Sequence, residues 1–176
     1  MTGALALEIS VPARWERIDP MREAVGLAVL AHFGDDDLRD ALAMACEELL
    51  ENAVKYGRPG ANLSLSLRRD GRALRLAVTN SVDEGTAHVV KLCDQIDWIR
   101  GFPSAADAYR AALERVYTRT DRGETGLGIA RVAYEGGCAL ACDLSVPGRL
   151  TVTAVRDLAP PASARGADAV TDPTGP

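Results

Sequence analysis

Glu48, Asn52 and Lys55 stand at i, i+4 and i+7 in a stretch whose apolar residues repeat at helical spacing. On a helix that spacing places a carboxylate, an amide oxygen and an ammonium along one narrow stripe. An amide oxygen is a hard ligand suited to Mg²⁺. An ammonium balances phosphate charge, and a carboxylate can orient or deprotonate a hydroxyl. Together the three groups match what phosphoryl transfer from a metal nucleotide requires. The same spacing also suits a solvated helix face, on which Glu51 and Lys55 form an ordinary i, i+4 ion pair.

A second segment gives the first its weight. Arg122-Gly123-Glu124-Thr125-Gly126-Leu127-Gly128-Ile129 is a glycine-rich run that leads into an apolar, helix-like stretch. Glycines permit close backbone approach, and the free N–H groups of a helix start bind anions. Thr125 adds a hydroxyl.

The elements that must position these groups follow from periodicity. Residues 4–10 alternate weakly and read as a strand. A helix is expected from Met21 to Phe33, stopped by Gly34. Asp35, Asp36 and Asp37 then cap and complement the start of the next helix. That helix runs from about Leu38 to Tyr56, with Leu38, Leu42, Ala45, Leu49 and Ala53 on one apolar stripe. Residues 61–69 and 73–80 alternate apolar and polar around Asp70-Gly71, a strong hairpin signal. Helices are expected over 84–99 and 104–119, separated by Gly101-Phe102-Pro103, and over 127–135. Residues 138–146 and 149–158 form a second hairpin about Pro147-Gly148. Hairpins interleaved with helices predict an α+β fold, a two-layer sandwich with helices on one face of a mixed, mostly antiparallel sheet. Val89, Val90, Leu92, Ile96, Trp98 and Ile99 read as core, with Trp98 and Phe102 the part most suited to partner contact.

Composition bounds the rest. The chain has 176 residues, 47% of them hydrophobic and 26% charged, enough for one packed domain, predicted over 1–158. Residues 159–176 hold four of the nine prolines and no apolar period, and read as a disordered tail. A net charge of −5 argues against a broad nucleic-acid footprint. The apolar run at 24–33 is about half of what a bilayer needs, and the first ten residues lack the pattern of a secretory signal. A cytoplasmic setting is expected, without membrane association. Cys46, Cys93, Cys138 and Cys142 are accordingly read as core thiols rather than disulfide partners. Their spacing and the two isolated histidines, His32 and His88, do not read as a zinc site.

The segment EELLENAVKYG at 47–57 resembles the N-box of the GHKL superfamily, the Bergerat-fold ATPases that include histidine-kinase catalytic domains. GETGLGIA at 123–130 resembles their second glycine box, and the order of parts over residues 4–158 is similar. The short chain looks most like the stand-alone anti-sigma factor serine kinases of bacterial partner-switching systems. The resemblance implies ATP and Mg²⁺ bound between the long helix and a mobile lid. It casts Glu48 as general base, Asn52 as metal ligand and Lys55 as a phosphate contact, with Thr125, Gly126, Leu127 and Gly128 cradling phosphates. It implies a protein partner, a STAS-type antagonist or a sigma factor, and such proteins often pair as homodimers.

The sequence departs from the family at the first glycine box, Asp-x-Gly-x-Gly, whose Asp reads the adenine amino group. Strand phase puts Asn80 at the Asp position and Val82 at the first glycine. The other register puts Asp83 and Gly85 on the motif. An altered base site predicts weak or unusual nucleotide binding, and leaves room for a second reading: a degenerate binding module that regulates by docking, with no phosphoryl transfer.

Overall fold

The computed structural model describes residues 5–83, 85–118 and 126–158. The tail 159–176, Glu84 and the 119–125 part of the glycine segment, Thr125 included, lie outside them. Five strands, β1 (Ala6–Pro12), β2 (Asn62–Asp70), β3 (Ala73–Ser81), β4 (Cys138–Asp143) and β5 (Arg149–Asp157), form one sheet in the order β1-β2-β3-β5-β4. Every pairing is antiparallel, so the sheet is less mixed than expected. Five helices accompany it: α1 (Ile18–Phe33), α2 (Asp36–Tyr56), α3 (Ala87–Arg100), α4 (Ala105–Thr118) and α5 (Leu127–Tyr134). The α+β sandwich is as the periodicity predicts.

The alternation of the strands decides which face is covered. Leu63, Leu65 and Leu67 of β2, Leu74, Leu76 and Val78 of β3, and Leu150, Val152 and Ala154 of β5 all point to one buried face. Opposite them lie Ser64, Ser66, Ala77, Thr79, Thr151 and Thr153, only partly buried. Leu63–Asn80–Leu150 and Leu65–Val78–Val152 are cross-strand rows, so the aliphatic layer is continuous across three strands. The α2 stripe named from the sequence, Leu38, Leu42, Ala45, Leu49 and Ala53, is buried throughout. Asp35 caps α2 by accepting from the Leu38 amide at 2.9 Å.

Helix α3 follows its expected core only in part. Val89, Leu92, Ile96 and Ile99 share one face and are buried, and Trp98 is partly buried, whereas Val90, expected in the core, lies off that stripe and is exposed. Trp98 and Phe102 already have partners within the chain: their rings meet edge-on at 4.7 Å, and the Arg115 guanidinium stands 3.7 Å over the Trp98 ring.

The cysteines require a correction. Cys46 and Cys138 are buried free thiols as expected, and burial pushes them up to about 12 and about 11 respectively. Cys93 and Cys142, by contrast, form a disulfide with Cα atoms 5.6 Å apart. They lie 49 residues apart, and only the packing of α3 against β4 brings them together. A cross-link closing a loop of that size is worth about 2–4 kcal/mol. Cys93→Ser/Cys142→Ser is therefore expected to melt about 4–16 °C below the oxidised wild type and to be insensitive to dithiothreitol, as checked by calorimetry with and without reductant.

Candidate functional site

Helices α2, α3 and α5 enclose a cavity of about 320 Å³. Glu48, Asn52 and Lys55 line it from α2, and Gly126 and Gly128 from the start of α5. The two segments singled out by sequence thus share one cavity. Gly126 takes φ +67 at the N-cap of α5, a conformation that suits glycine.

Contact at the glycine end is close. A Cβ on Gly128 would overlap Glu48 Oε2, so the carboxylate rests directly on the α5 backbone. Glu48 Oε1 lies 3.7 Å from Arg131 Nη1 on the next turn of α5, and Arg131 is also bonded to Glu135 at 2.7 Å. Burial pushes the Glu48 carboxyl above its ordinary value, the negative charge of Glu51 adds to this, and Arg131 opposes it. A half-buried acid with a raised pKa on a cavity wall, set against the glycine backbone of a helix start, marks a candidate functional site.

Asn52 donates through Nδ2 to the Glu48 carbonyl at 2.8 Å. That bond orients the amide and leaves the Oδ1 oxygen as the acceptor available to a cation. Lys55 and, from α3, Lys91 bring two ammonium groups to the same walls. The arrangement can hold a hard cation and neutralise an anion with oxygen-rich surfaces.

Asn80 is placed differently. It is 3% exposed, and its Nδ2 donates to the Ala53 carbonyl at 3.0 Å, tying β3 to α2. Gly57 follows from this tie, since a Cβ there would stand 2.5 Å from the Ala53 carbonyl and 3.0 Å from Asn80 Nδ2. Val82 is buried at 2%, and Leu150, opposite Asn80 in the sheet, at 1%. Among the described residues, neither Asn80 nor Val82 lines the cavity. Asp83 and Gly85, the other register, are exposed; Asp83 is paired with Arg58 Nε at 2.9 Å, and Gly85 takes φ +69. Neither borders the cavity. Leu127 occupies the first turn of α5 between the two lining glycines.

Sequence reasoning missed Trp15, Tyr56, His88 and Gln95, all of which line the cavity. Trp15 comes from a 3₁₀ turn (Trp15–Arg17) after β1. The Tyr56 and His88 rings stack at 5.6 Å, with planes 14° apart. Gln95 Nε2 donates to the Gly126 carbonyl. A signal existed for α3, because His88, Lys91 and Gln95 fall at i, i+3 and i+7 and so share one helix face. No local pattern marks Trp15.

The sequence matches no protein-family model, and no curated protein matches it significantly. Its structure is similar to one in the crystal structure of the SiaB–SiaC complex from Pseudomonas aeruginosa. The TM-score is 0.66 and the identity 20%, over 88% of this chain and 90% of that one. The two chains share a fold. At this identity the likeness speaks to architecture alone. No helix among the described residues is long and apolar enough to cross a membrane.

Proposed function

We propose that the chain binds a Mg²⁺–ATP complex in this cavity and regulates a protein partner, in the manner of an anti-sigma factor serine/threonine kinase. The observation that carries this reading is the meeting of Glu48, Asn52 and Lys55 with Gly126 and Gly128 in one cavity. The donor set fits the metal and phosphate end: Asn52 Oδ1 would hold Mg²⁺, Lys55 would contact phosphate, and the backbone at Gly126, Leu127 and Gly128 would face phosphate oxygens. The bound metal would neutralise charge on the transferred phosphoryl group. Glu48, half-buried with its carboxyl raised, suits proton acceptance from a substrate hydroxyl. The partner would be a STAS-type antagonist or a sigma factor in a cytoplasmic switch. The related fold in the SiaB–SiaC assembly supports a role exercised through a second protein.

The buried, hydrogen-bonded Asn80 favours a second reading, a docking module without phosphoryl transfer. Calorimetry with MgATP separates the two. Binding that falls about 10–100-fold in Asn52→Ala and on chelation of the metal is expected for the first reading. Transfer of label to a STAS partner that disappears in Glu48→Gln then establishes the kinase. Retention of the partner with no nucleotide binding establishes docking.

Glu48→Gln has a second expected result. Because the folded-state pKa lies above the ordinary 4.5, the native state binds the extra proton, and wild-type stability falls as pH rises through that window. Glu48→Gln is expected to match the wild type near pH 4 and to be the more stable of the two at pH 7.5, as measured by urea unfolding at both values.

A further inference from the structure

We infer that the Cys93–Cys142 disulfide is a redox latch on the cavity: closed, it fixes the α3 wall for the ligand; opened by a small-molecule dithiol, it releases that wall and weakens binding. The inference rests on the nucleotide-binding reading above and specifies how that site is regulated. Helix α3 supplies His88, Lys91, Leu92 and Gln95 to the cavity. At 100° per residue, Cys93 stands about 140–160° around the helix from His88, Lys91 and Gln95. One side of α3 is thus cavity wall, and the bond to Cys142 of β4 leaves from the other. Two positions on from Cys93, Gln95 donates to the Gly126 carbonyl, so the same helix also steadies the glycine start of α5.

The remaining contacts that hold α3 are non-covalent. Val89, Leu92, Ile96 and Ile99 are buried, and His88 stacks on Tyr56. At the head of the helix the N-cap Thr86 makes no side-chain capping bond, and Gly85 before it is exposed. The thiols are distributed to suit exchange. Cys93 and Cys142 are partly exposed and β4 is an edge strand, so a thiolate can reach their bond. Cys46 and Cys138 are buried, with pKa pushed up to about 12 and about 11, which keeps them out of the exchange. Opening transfers two electrons and two protons: the dithiol closes its own disulfide, and the Sγ–Sγ bond becomes two thiols. In the cytoplasmic setting expected from the sequence, a disulfide is a transient, sensing bond rather than a permanent staple.

A purely structural cross-link behaves differently. It acts mainly on the unfolded chain, so its loss lowers global stability and leaves the native cavity and its affinity unchanged. A latch acts on the native state, because a wall already ordered need not be ordered by the ligand.

The test is calorimetric titration of the full chain with MgATP, oxidised and then reduced by dithiothreitol, with amide hydrogen exchange of both forms. The expected result is a dissociation constant about 5–150-fold higher after reduction, the usual span of coupling between two sites, and restored on reoxidation. Amides of residues 88–95 are expected to speed up on reduction by a larger factor than those of β2 and β3, as local release of α3 requires. Cys93→Ser/Cys142→Ser is expected to bind as the reduced chain does and to ignore dithiothreitol. Equal affinity in the two forms overturns the latch and leaves the disulfide a structural cross-link. Acceleration by one common factor across α3, β2 and β3 overturns it too, as does a response to dithiothreitol that persists in the double variant. Failure of MgATP to bind either form overturns the nucleotide-binding reading, and this account of its regulation with it.

Discussion

Asn80→Asp is expected to lower the melting temperature by about 6–16 °C at pH 7.5, the outcome of losing about 3–4 kcal/mol in a chain of this size. The reason is geometric. Asn80 is 3% exposed and donates to the Ala53 carbonyl at 3.0 Å. An ionised aspartate there has no donor, sets two acceptors against each other and buries a charge with no cation described beside it. Burial raises the pKa of the new carboxyl. The native state then takes up a proton before the unfolded state does, so stability returns as pH falls. The melting difference from wild type should shrink markedly by pH 4.5. Thermal melts at the two pH values check both halves, and an unchanged melting temperature at pH 7.5 would show that the tie between β3 and α2 carries no weight. The family that the sequence resembles carries Asp at this position, but Asn80 does not line the cavity.

Gly128→Ala separates binding from folding. It lies in the first turn of α5, where alanine gains about 0.5–1 kcal/mol of helix propensity over glycine. The added methyl would occupy the space of the Glu48 carboxylate, the mobile end of a side chain, so the clash is relieved by rotation rather than by unfolding. Stability should change by less than about 1 kcal/mol. Ligand affinity should fall about 100-fold, the scale expected when a site's groups are displaced by an ångström or more. Calorimetric titration with MgATP, paired with a thermal melt, reads both. A variant that unfolds would contradict the relief of the clash by rotation, and one that binds as wild type would contradict a role in binding for the packing of Glu48 on the glycine segment.

What the sequence determined by itself is local in origin. The 3.6-residue stripe of α2, the alternation of the two hairpins and the Asp70-Gly71 turn are periodic signals, and each survives unchanged in the fold. Because side-chain period and backbone geometry are coupled, they also set which residues share a face, so Glu48, Asn52 and Lys55 were legible as one constellation. The glycine segment was legible as a helix start, although only its portion from Gly126 onward is described.

The remaining features depended on contacts between distant segments. Cys93 and Cys142 bond because α3 packs on β4, and no spacing within the chain announces a pair 49 residues apart. Strand phase correctly put Asn80 on the inward face, but not what it would meet there. The Ala53 carbonyl that takes its hydrogen bond lies 27 positions earlier, on another element. Trp15 reaches the cavity from a turn after β1, and His88 by stacking on Tyr56 across two helices. Period is a property of neighbouring residues, whereas a buried hydrogen bond or a cavity wall is a property of segments brought together by packing. Only the tertiary structure decides which polar groups of this chain are committed and which remain open to a ligand.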